Sequence, residues 1–418
     1  MRLLAVRGSA LVIESVRKRL TGGLGRAIVY WLILAAGFAV ALIRTLWTHS
    51  LAAPDSLYYY GRALLYAGYS REEAFAAAEL IGDPISASTG SIEHMFDWNL
   101  VEPRVVYSAL SAPFVRFMGW SGMIVVSVGA AVALFALMGW ALRRRFGTLP
   151  ALGTMALMLG CQLWFFFAVA GLTESLTALW FAIALGAAWR YRNTPLVRPR
   201  RYVWLVVAGL AVVLFAFTRQ AVLVPAGALF VAWLGELIRT RRARNSWLLP
   251  AAVIVGTSFV CQVWQLLAWP YSSNKEWLIQ SGAAERTIAG TLRQGAKATV
   301  SGLLTFVTAD PAMAFSVLLL AAGLIIGWRW TESHLALGAL AGGLIYQFIN
   351  GAPRTGLRYS EPGWLAYALV IAALLAWFGR SNKGLISPPG LAGPARPSQT
   401  SQASQTSQAS QASQTLPI

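Results

Sequence analysis

Hydrophobic residues along this chain occur in long blocks, each near the ~20 residues that an α-helix needs to cross a bilayer. Each block must be helical, because an unpaired backbone group in lipid costs several kcal/mol. The pattern predicts an all-α fold, a polytopic transmembrane helical bundle of about ten spans. The predicted spans are residues 27–47, 121–142, 149–169, 173–189, 203–218, 220–238, 247–267, 312–328, 334–349 and 363–379.

Basic residues collect after every second block, which sets the expected orientation. Cytoplasmic loops of membrane proteins are enriched in Lys and Arg. The clusters follow the even-numbered blocks, at 143–145, 190–201, 239–244, Arg329 and Arg380. We therefore predict a multi-pass protein of the plasma membrane with both termini in the cytoplasm. Residues 1–26 form the basic amino-terminal segment, and residues 27–380 form the transmembrane domain.

The composition agrees with a membrane protein and argues against a soluble one. Hydrophobic residues make up 57% of the chain and charged residues only 12%, whereas a soluble domain averages about 25% charged residues. The net charge of +18 would suggest nucleic acid in a soluble protein. Here the positive charges lie between apolar blocks, so we expect membrane lipids as partners and no nucleic acid.

The longest interval between blocks, residues 48–120, is predicted to be a large outer loop. Residues 48–103 hold eight of the sixteen acidic residues, together with many aromatic ones. The segment 104–118 is apolar but too short to span, and we interpret it as a helix in the outer membrane interface. The alternative, a tilted span, would place the triple arginine outside. A second interfacial helix is predicted within 282–307.

The carboxyl-terminal segment 381–418 is rich in Pro and Gly and then repeats Ser, Gln, Thr and Ala. Its few apolar groups cannot offset the entropy of ordering, so we predict disorder. Elsewhere the chain lacks a phosphate-binding GxxxxGK[ST] loop, an HExxH helix and a GxSxG elbow. Cys161 and Cys261 lie inside apolar stretches, which argues against a disulfide or metal site and predicts buried small residues.

Candidate chemistry begins just after the first span, in the sequence AAPDSLYYYGRALLYAG. Asp55 stands before a predicted aromatic helix, and Tyr59 and Arg62 lie on one face of that helix at i, i+3 spacing. Two interpretations remain open for Asp55. It either caps the helix that starts at Ser56 or acts as a functional carboxylate, and the two roles can coexist.

Further charges lie at the same predicted face of the membrane. Arg354, Arg358 and Tyr359 occupy the last outer loop, where basic residues break the cytoplasmic bias. Arginine suits phosphate because its planar fork makes paired, charge-assisted bonds; the alternative is a solvated or lipid-contacting arginine. Glu174 and Arg219 stand at outer ends of spans, where a charge usually faces a cavity or a partner or forms an interfacial pair.

In this arrangement the chain resembles the polytopic glycosyltransferases of the GT-C fold. Members of that family have a cytoplasmic amino terminus, a large first outer loop with interfacial helices, and an acidic residue just after the first span. The resemblance covers residues 27–380. The motifs that carry it are DSLYYYGRALLYAG from Asp55, RVVYSALSAPF from Arg104, GLTES from Gly171, FTRQ from Phe217 and LRYSEP from Leu357.

The resemblance implies a polyprenyl-phosphate-linked sugar donor, with a sugar such as mannose, and a lipid or glycan acceptor at the outer face. Asp55 matches the family's catalytic acid and would be the general base in an inverting transfer. Arg358 and Arg354 would steady the departing phosphate. The remaining donor-binding or cavity-lining residues that we expect are Tyr59, Arg62, Arg104, Glu174, Arg219 and Tyr359.

One departure from the family pattern concerns metal. Many members carry a second acid directly after the first, whereas Ser56 follows Asp55 here. The sequence therefore predicts no metal-binding residues, and a divalent cation is the one cofactor left open. Two other functions stay open: a multi-pass transporter or lipid flippase, and a non-catalytic scaffold for envelope assembly.

Overall fold

A computed structural model describes residues 23–53, 55–81, 91–97, 101–195, 198–269, 288–350 and 353–381. Within these residues every regular element is a helix. The first nine helices are α1 (Gly23–Thr48), α2 (Ser56–Tyr66), α3 (Arg71–Glu79), α4 (Ile92–Asp97), α5 (Val105–Met118), α6 (Ser121–Phe146), α7 (Thr148–Gly160), α8 (Gln162–Val169) and α9 (Glu174–Asn193).

The remaining helices are α10 (Arg201–Thr218), α11 (Leu223–Thr240), α12 (Leu248–Ala268), α13 (Ile288–Ala309), α14 (Pro311–Ile326), α15 (Thr331–Asn350), a 3₁₀ segment (Pro353–Gly363) and α16 (Trp364–Ser381). The contacts divide the chain after Ala376, and of the described residues only the end of α16 belongs to the second unit. Nearly all of the predicted terminal segments, 1–26 and 381–418, lies outside the described residues.

The helices confirm an all-helical, multi-pass membrane protein. Six of the described helices are long and apolar enough to cross a bilayer, and two bent pairs raise the number to eight. The bent pairs are α7 with α8, at 77°, and α13 with α14, at 118°. Each of the ten predicted blocks overlaps a helix, but α9 and α15 fall short of the apolar character of a span. The count of ten spans and the membrane orientation stay predictions.

The sharper bend follows from the sequence at Asp310 and Pro311. Proline has no backbone N–H and is favoured at the first turn of a helix, so α14 starts there. The Asp310 side chain accepts hydrogen bonds from the backbone N–H groups of Ala312 and Met313 and thus caps α14. Its other oxygen accepts from the backbone N–H of Leu163, at 3.2 Å, which joins the two bent pairs.

Glycines allow α11 and α15 to pack with their backbones in contact. A Cβ atom added at Gly338 would overlap the backbone of Gly227, and one at Gly342 would overlap the backbone at Leu223. Small residues at such contacts are a common device of membrane helices, whose association gains little from the hydrophobic effect. This pair of helices also supports the 3₁₀ segment, which packs against α15.

We expect Gly338→Leu to reduce the yield of folded protein strongly, because its side chain would force α11 and α15 apart. Overpacking typically costs about 1–3 kcal/mol, and here the obstacle is backbone that cannot change rotamer. Gly129→Leu is the matched control, since a Cβ atom there meets nothing within 4 Å. Monodisperse yield after detergent extraction measures the effect. Equal yields from the two variants would contradict the close packing.

Three of the basic clusters predicted to share one side of the membrane, 143–145, 190–201 and 239–244, do meet at one end of the bundle. Arg145, at the end of α6, forms an ion pair with Glu332, at the start of α15. Arg192, at the end of α9, lies 3.9 Å from the Glu236 carboxylate near the end of α11. We call this the arginine end. These contacts place the arginine end at one end of the bundle. Which membrane face it occupies stays a prediction.

The long segment between α1 and α6 folds, as its length and composition predicted. Helices α2, α3, α4 and α5 bury a core that they share with α6 and α9 and that includes Tyr59, Tyr107 and Met95. The prediction of a helix over 104–118 is confirmed by α5, and the predicted helix within 282–307 is confirmed by α13. Placement of either helix in a membrane interface stays a prediction.

Candidate functional site

Charged side chains from distant parts of the chain meet at the other end of the bundle, which we call the site end. Asp55 precedes α2, Arg104 precedes α5, Glu174 begins α9, Arg219 follows α10 and Arg358 lies in the 3₁₀ segment. The first four stand at the boundaries of α-helices, and Arg358 lies in the short segment that leads into α16. The fold therefore gathers residues that are up to 303 positions apart in the chain.

Asp55 occupies the N-cap position of α2 but makes no capping hydrogen bond. Its Oδ2 atom instead accepts a hydrogen bond from Nη2 of Arg358, at 3.0 Å. The interpretation of Asp55 as a helix cap is therefore wrong. One third (33%) of the Asp55 side chain is exposed, so the carboxylate is held in place by Arg358 and stays accessible to a ligand.

Glu174 is the centre of the buried charges. Its Oε1 atom accepts from Nη1 of Arg219, at 2.6 Å, and also from Nε of Arg358. The side chains of Glu174 and Arg219 are only 1% and 2% exposed. One carboxylate thus joins two guanidinium groups out of contact with solvent. The resemblance implied that Glu174 and Arg219 line a cavity; in the structure they form a buried ion pair, which Arg358 links to Asp55.

Arg104 has a different environment from Arg219 and Arg358, the other two arginines of the cluster. It is 5% exposed and its Nη1 atom donates to the Tyr59 hydroxyl, at 2.6 Å. Its Nε atom has no hydrogen-bond partner, and no carboxylate among the described residues lies within ion-pair distance. Burying a charge without a counter-charge is costly, so this guanidinium is suited to an anionic ligand.

Tyr359 and Arg354 were also predicted to belong to the site. The Arg219 guanidinium lies 5.0 Å from the centre of the Tyr359 ring, which also stacks on Tyr346. Tyr359 therefore belongs to the cluster. The backbone of Arg354 lies in the 3₁₀ segment, but its side chain is outside the described residues. Its contact with a phosphate stays a prediction.

Arg62 is not part of the cluster. Its guanidinium donates to the backbone carbonyls of Glu102, at 2.9 Å, and Phe96, at 2.5 Å. These bonds tie α4 and the start of α5 to α2. The i, i+3 spacing with Tyr59 placed both residues in helix α2 correctly, but Tyr59 reaches the cluster and Arg62 does not. Arg62 is therefore better explained as a structural anchor than as a ligand-binding residue.

Glu361 is the residue that the sequence analysis missed. It is 2% exposed, and neither oxygen of its carboxylate has a hydrogen-bond partner among the described residues. It shares with Glu174 and Ser175 a space too narrow to hold a water molecule. The signal was present in the sequence, since an acidic residue at the edge of an apolar block usually faces a cavity or a partner.

The positive charges around Asp55 control its ionisation. Partial burial alone would raise the pKa of the Asp55 carboxyl, but Arg358, Arg104 and Arg219 outweigh it and hold the pKa below its usual value. The carboxylate is therefore ionised at neutral pH. A carboxylate in this state can accept a proton from a hydroxyl that is losing it to a reaction.

The cluster does not fit a metal ion. Among the described residues no three His, Cys, Asp or Glu side chains lie close enough together to hold one. The Oδ2 atom of Asp55 is bonded to Arg358, a cation. We therefore assign no step to a divalent cation.

Comparison of this chain with models of protein families, with curated proteins and with solved structures gave no match.

Proposed function

We propose that this protein is a membrane glycosyltransferase that moves a sugar from a polyprenyl-phosphate donor to the hydroxyl of a lipid or glycan acceptor. The observation that carries the proposal is the pairing of an accessible carboxylate, Asp55, with buried guanidinium groups at one end of a helical bundle. The chemistry needs both: a base for the acceptor and cations for the phosphate that leaves.

Arg104 is the best-placed group for the phosphate. Arg358 and Arg219 already hold carboxylates, whereas the guanidinium of Arg104 holds only a phenol. A phosphate bound there would supply the missing counter-charge. Asp55 is close enough to Arg104 and Arg358 for Coulombic attraction. A phosphate bound at Arg104 would therefore lie near the base. This assignment gives Arg104 a larger role than the resemblance alone implied.

The proposed reaction balances with these groups alone. The acceptor hydroxyl loses its proton to the Asp55 carboxylate as its oxygen attacks the anomeric carbon of the sugar. The bond from that carbon to the phosphate oxygen breaks, and polyprenyl phosphate leaves with the bonding electrons. Arg104 and Arg358 stabilise the charge that develops on the phosphate. Asp55 then returns its proton to solvent through its exposed side.

A transporter is the second candidate, and the two bent helix pairs favour it. Broken helices often form substrate sites at mid-membrane, where their free ends face the ligand. Here the acidic side chain at the sharper break, Asp310, is already bonded to three backbone N–H groups. The accessible carboxylate of the cluster, Asp55, lies at the site end instead. Its position supports a reaction at one end of the bundle over transport through the bundle.

We expect Arg104→Gln to weaken the binding of polyprenyl phosphate by about tenfold or more, because a charge-assisted hydrogen bond contributes about 1.5–3 kcal/mol. The matched control is Arg116→Gln, which removes an exposed arginine from α5, the helix that Arg104 precedes. Titration of the purified protein with a fluorescent polyprenyl phosphate measures both. Equal affinity in the two variants would exclude Arg104 from phosphate binding.

A further inference from the structure

A cavity of about 620 Å³ opens at the arginine end, between α6, α9 and α16. Arg144 and Arg145 from α6 and Arg190 from α9 line it, together with Trp140 and Trp189. Along α9, Glu174 and Arg190 are sixteen residues apart, which corresponds to about 24 Å at 1.5 Å per residue. The arginines at the cavity rim are therefore remote from the site end, and the inference drawn from them does not depend on the proposed function.

Two of the three arginines have no carboxylate partner among the residues that the structure describes. The Arg144 and Arg190 guanidinium groups lie 5.5 Å and 5.8 Å from the Trp140 ring centre. Within the described part of the chain, no acidic side chain is in ion-pair range of either. Arg145 differs, because it is bound to Glu332. The cavity rim thus holds two cations that are placed around one aromatic ring and are available to an anion.

The inner wall of the same cavity is apolar. Leu185 of α9 and Leu365 and Leu369 of α16 line it and are otherwise buried in the bundle. A ligand that fills the whole cavity must therefore carry an anionic group at one end and hydrocarbon at the other. A free phosphate would satisfy the arginines and leave the apolar surfaces of Trp140, Ala141 and Trp189 uncovered.

We propose that this cavity binds an anionic phospholipid. The phosphate lies between Arg144 and Arg190, and an acyl chain lies against the apolar lining formed by Trp140, Ala141 and Trp189. Basic pockets between membrane helices suit such head groups, because the guanidinium groups supply charge and the surrounding helices exclude water. Aromatic rings such as Trp140 are also favoured at the level of the lipid head groups.

The charge is tested with Arg144→Gln/Arg190→Gln against Arg143→Gln/Arg200→Gln. The control removes the same charge from the same region, but neither residue lines the cavity, and the Arg143 guanidinium lies 5.0 Å from the Tyr30 ring centre. Native mass spectrometry of each protein, titrated with phosphatidylglycerol or phosphatidylcholine, measures affinity. We expect the wild type and the control to prefer phosphatidylglycerol, and the test variant to lose about tenfold or more in that affinity.

The volume is tested with Gly186→Leu, which directs a side chain into the cavity. A Cβ atom at Gly186 meets nothing within 4 Å, so the variant should fold, and Gly129→Leu on α6 is the control with the same freedom. We expect only Gly186→Leu to weaken phosphatidylglycerol binding. The proposal is overturned if both lipids bind equally, if either test variant binds like its control, or if soluble glycerol phosphate competes as well as the lipid.

Discussion

Asp55→Asn is expected to reduce sugar transfer by about 10²–10⁴-fold, the usual contribution of a general base, while the folded amount stays unchanged. The substitution keeps the shape of the side chain and removes its ability to take a proton. Folding should tolerate it because Asp55 makes no capping bond and is one third (33%) exposed. Transfer from a radiolabelled polyprenyl-phosphate sugar, in liposomes that hold equal amounts of protein, measures the loss.

The matched control for Asp55 is Glu72→Gln, which removes an exposed acid from α3 in the same segment. It should transfer sugar like the wild type. Because the surrounding arginines hold the pKa of the Asp55 carboxyl below its usual value, wild-type activity should not decline on account of Asp55 until the pH falls below about 4. Turnover by Asp55→Asn that matches Glu72→Gln would remove Asp55 from the mechanism.

The largest effect on stability is expected from Glu174→Gln. This change removes the only carboxylate in ion-pair contact with Arg219 among the described residues, and one of the two that contact Arg358. Breaking one partner of a buried ion pair typically costs about 3–5 kcal/mol, because the remaining charge stays buried without compensation. Thermal unfolding of the purified protein in detergent should show a much lower midpoint than the wild type.

A second substitution distinguishes loss of charge balance from loss of packing. The double variant Glu174→Gln/Arg219→Gln removes the uncompensated cation and should recover part of the lost stability. Glu236→Gln is the comparison at a more exposed carboxylate, which pairs with Arg239 and lies 3.9 Å from Arg192, and there we expect a change of about 0–1 kcal/mol. A double variant less stable than Glu174→Gln alone would contradict the account of Glu174 as a balancing charge.

The helices could be read from the sequence, because long apolar blocks in a membrane protein have no alternative to helix. The number of crossings could not. The break at Cys161 and the bend at Asp310 turn continuous apolar sequence into pairs of shorter helices. Those bends depend on packing between α7, α8 and α14, which the pattern of hydrophobic residues does not contain.

The site was only partly predictable for a related reason. Sidedness alone suggested that Asp55 and Arg358 share one end of the bundle, and the structure places them in contact. Local spacing misled at Asp55, where a contact 303 residues away replaces the expected cap. It also misled at Arg62, whose partners are backbone carbonyls and so leave no trace in the side chains of the sequence.

Arg104 shows what required coordinates. Its position at the start of α5 is visible in the sequence, but the lack of a carboxylate within ion-pair distance, among the described residues, depends on every element packed around it. The same holds for Glu361, whose burial without a hydrogen-bond partner follows from the packing of the 3₁₀ segment against α9. Both residues are buried with polar atoms that have no hydrogen-bond partner among the described residues. A network in which every charge is paired would not leave such atoms, whereas a ligand site can.

The most direct test of the central claim is a cryo-electron microscopy map of the protein in nanodiscs that contain polyprenyl phosphate. The account predicts phosphate density within hydrogen-bond distance of the Arg104 and Arg358 guanidinium groups, on the side where Asp55 is exposed. Phosphate density at the arginine end alone, or an unchanged cluster with the lipid bound elsewhere, would contradict it.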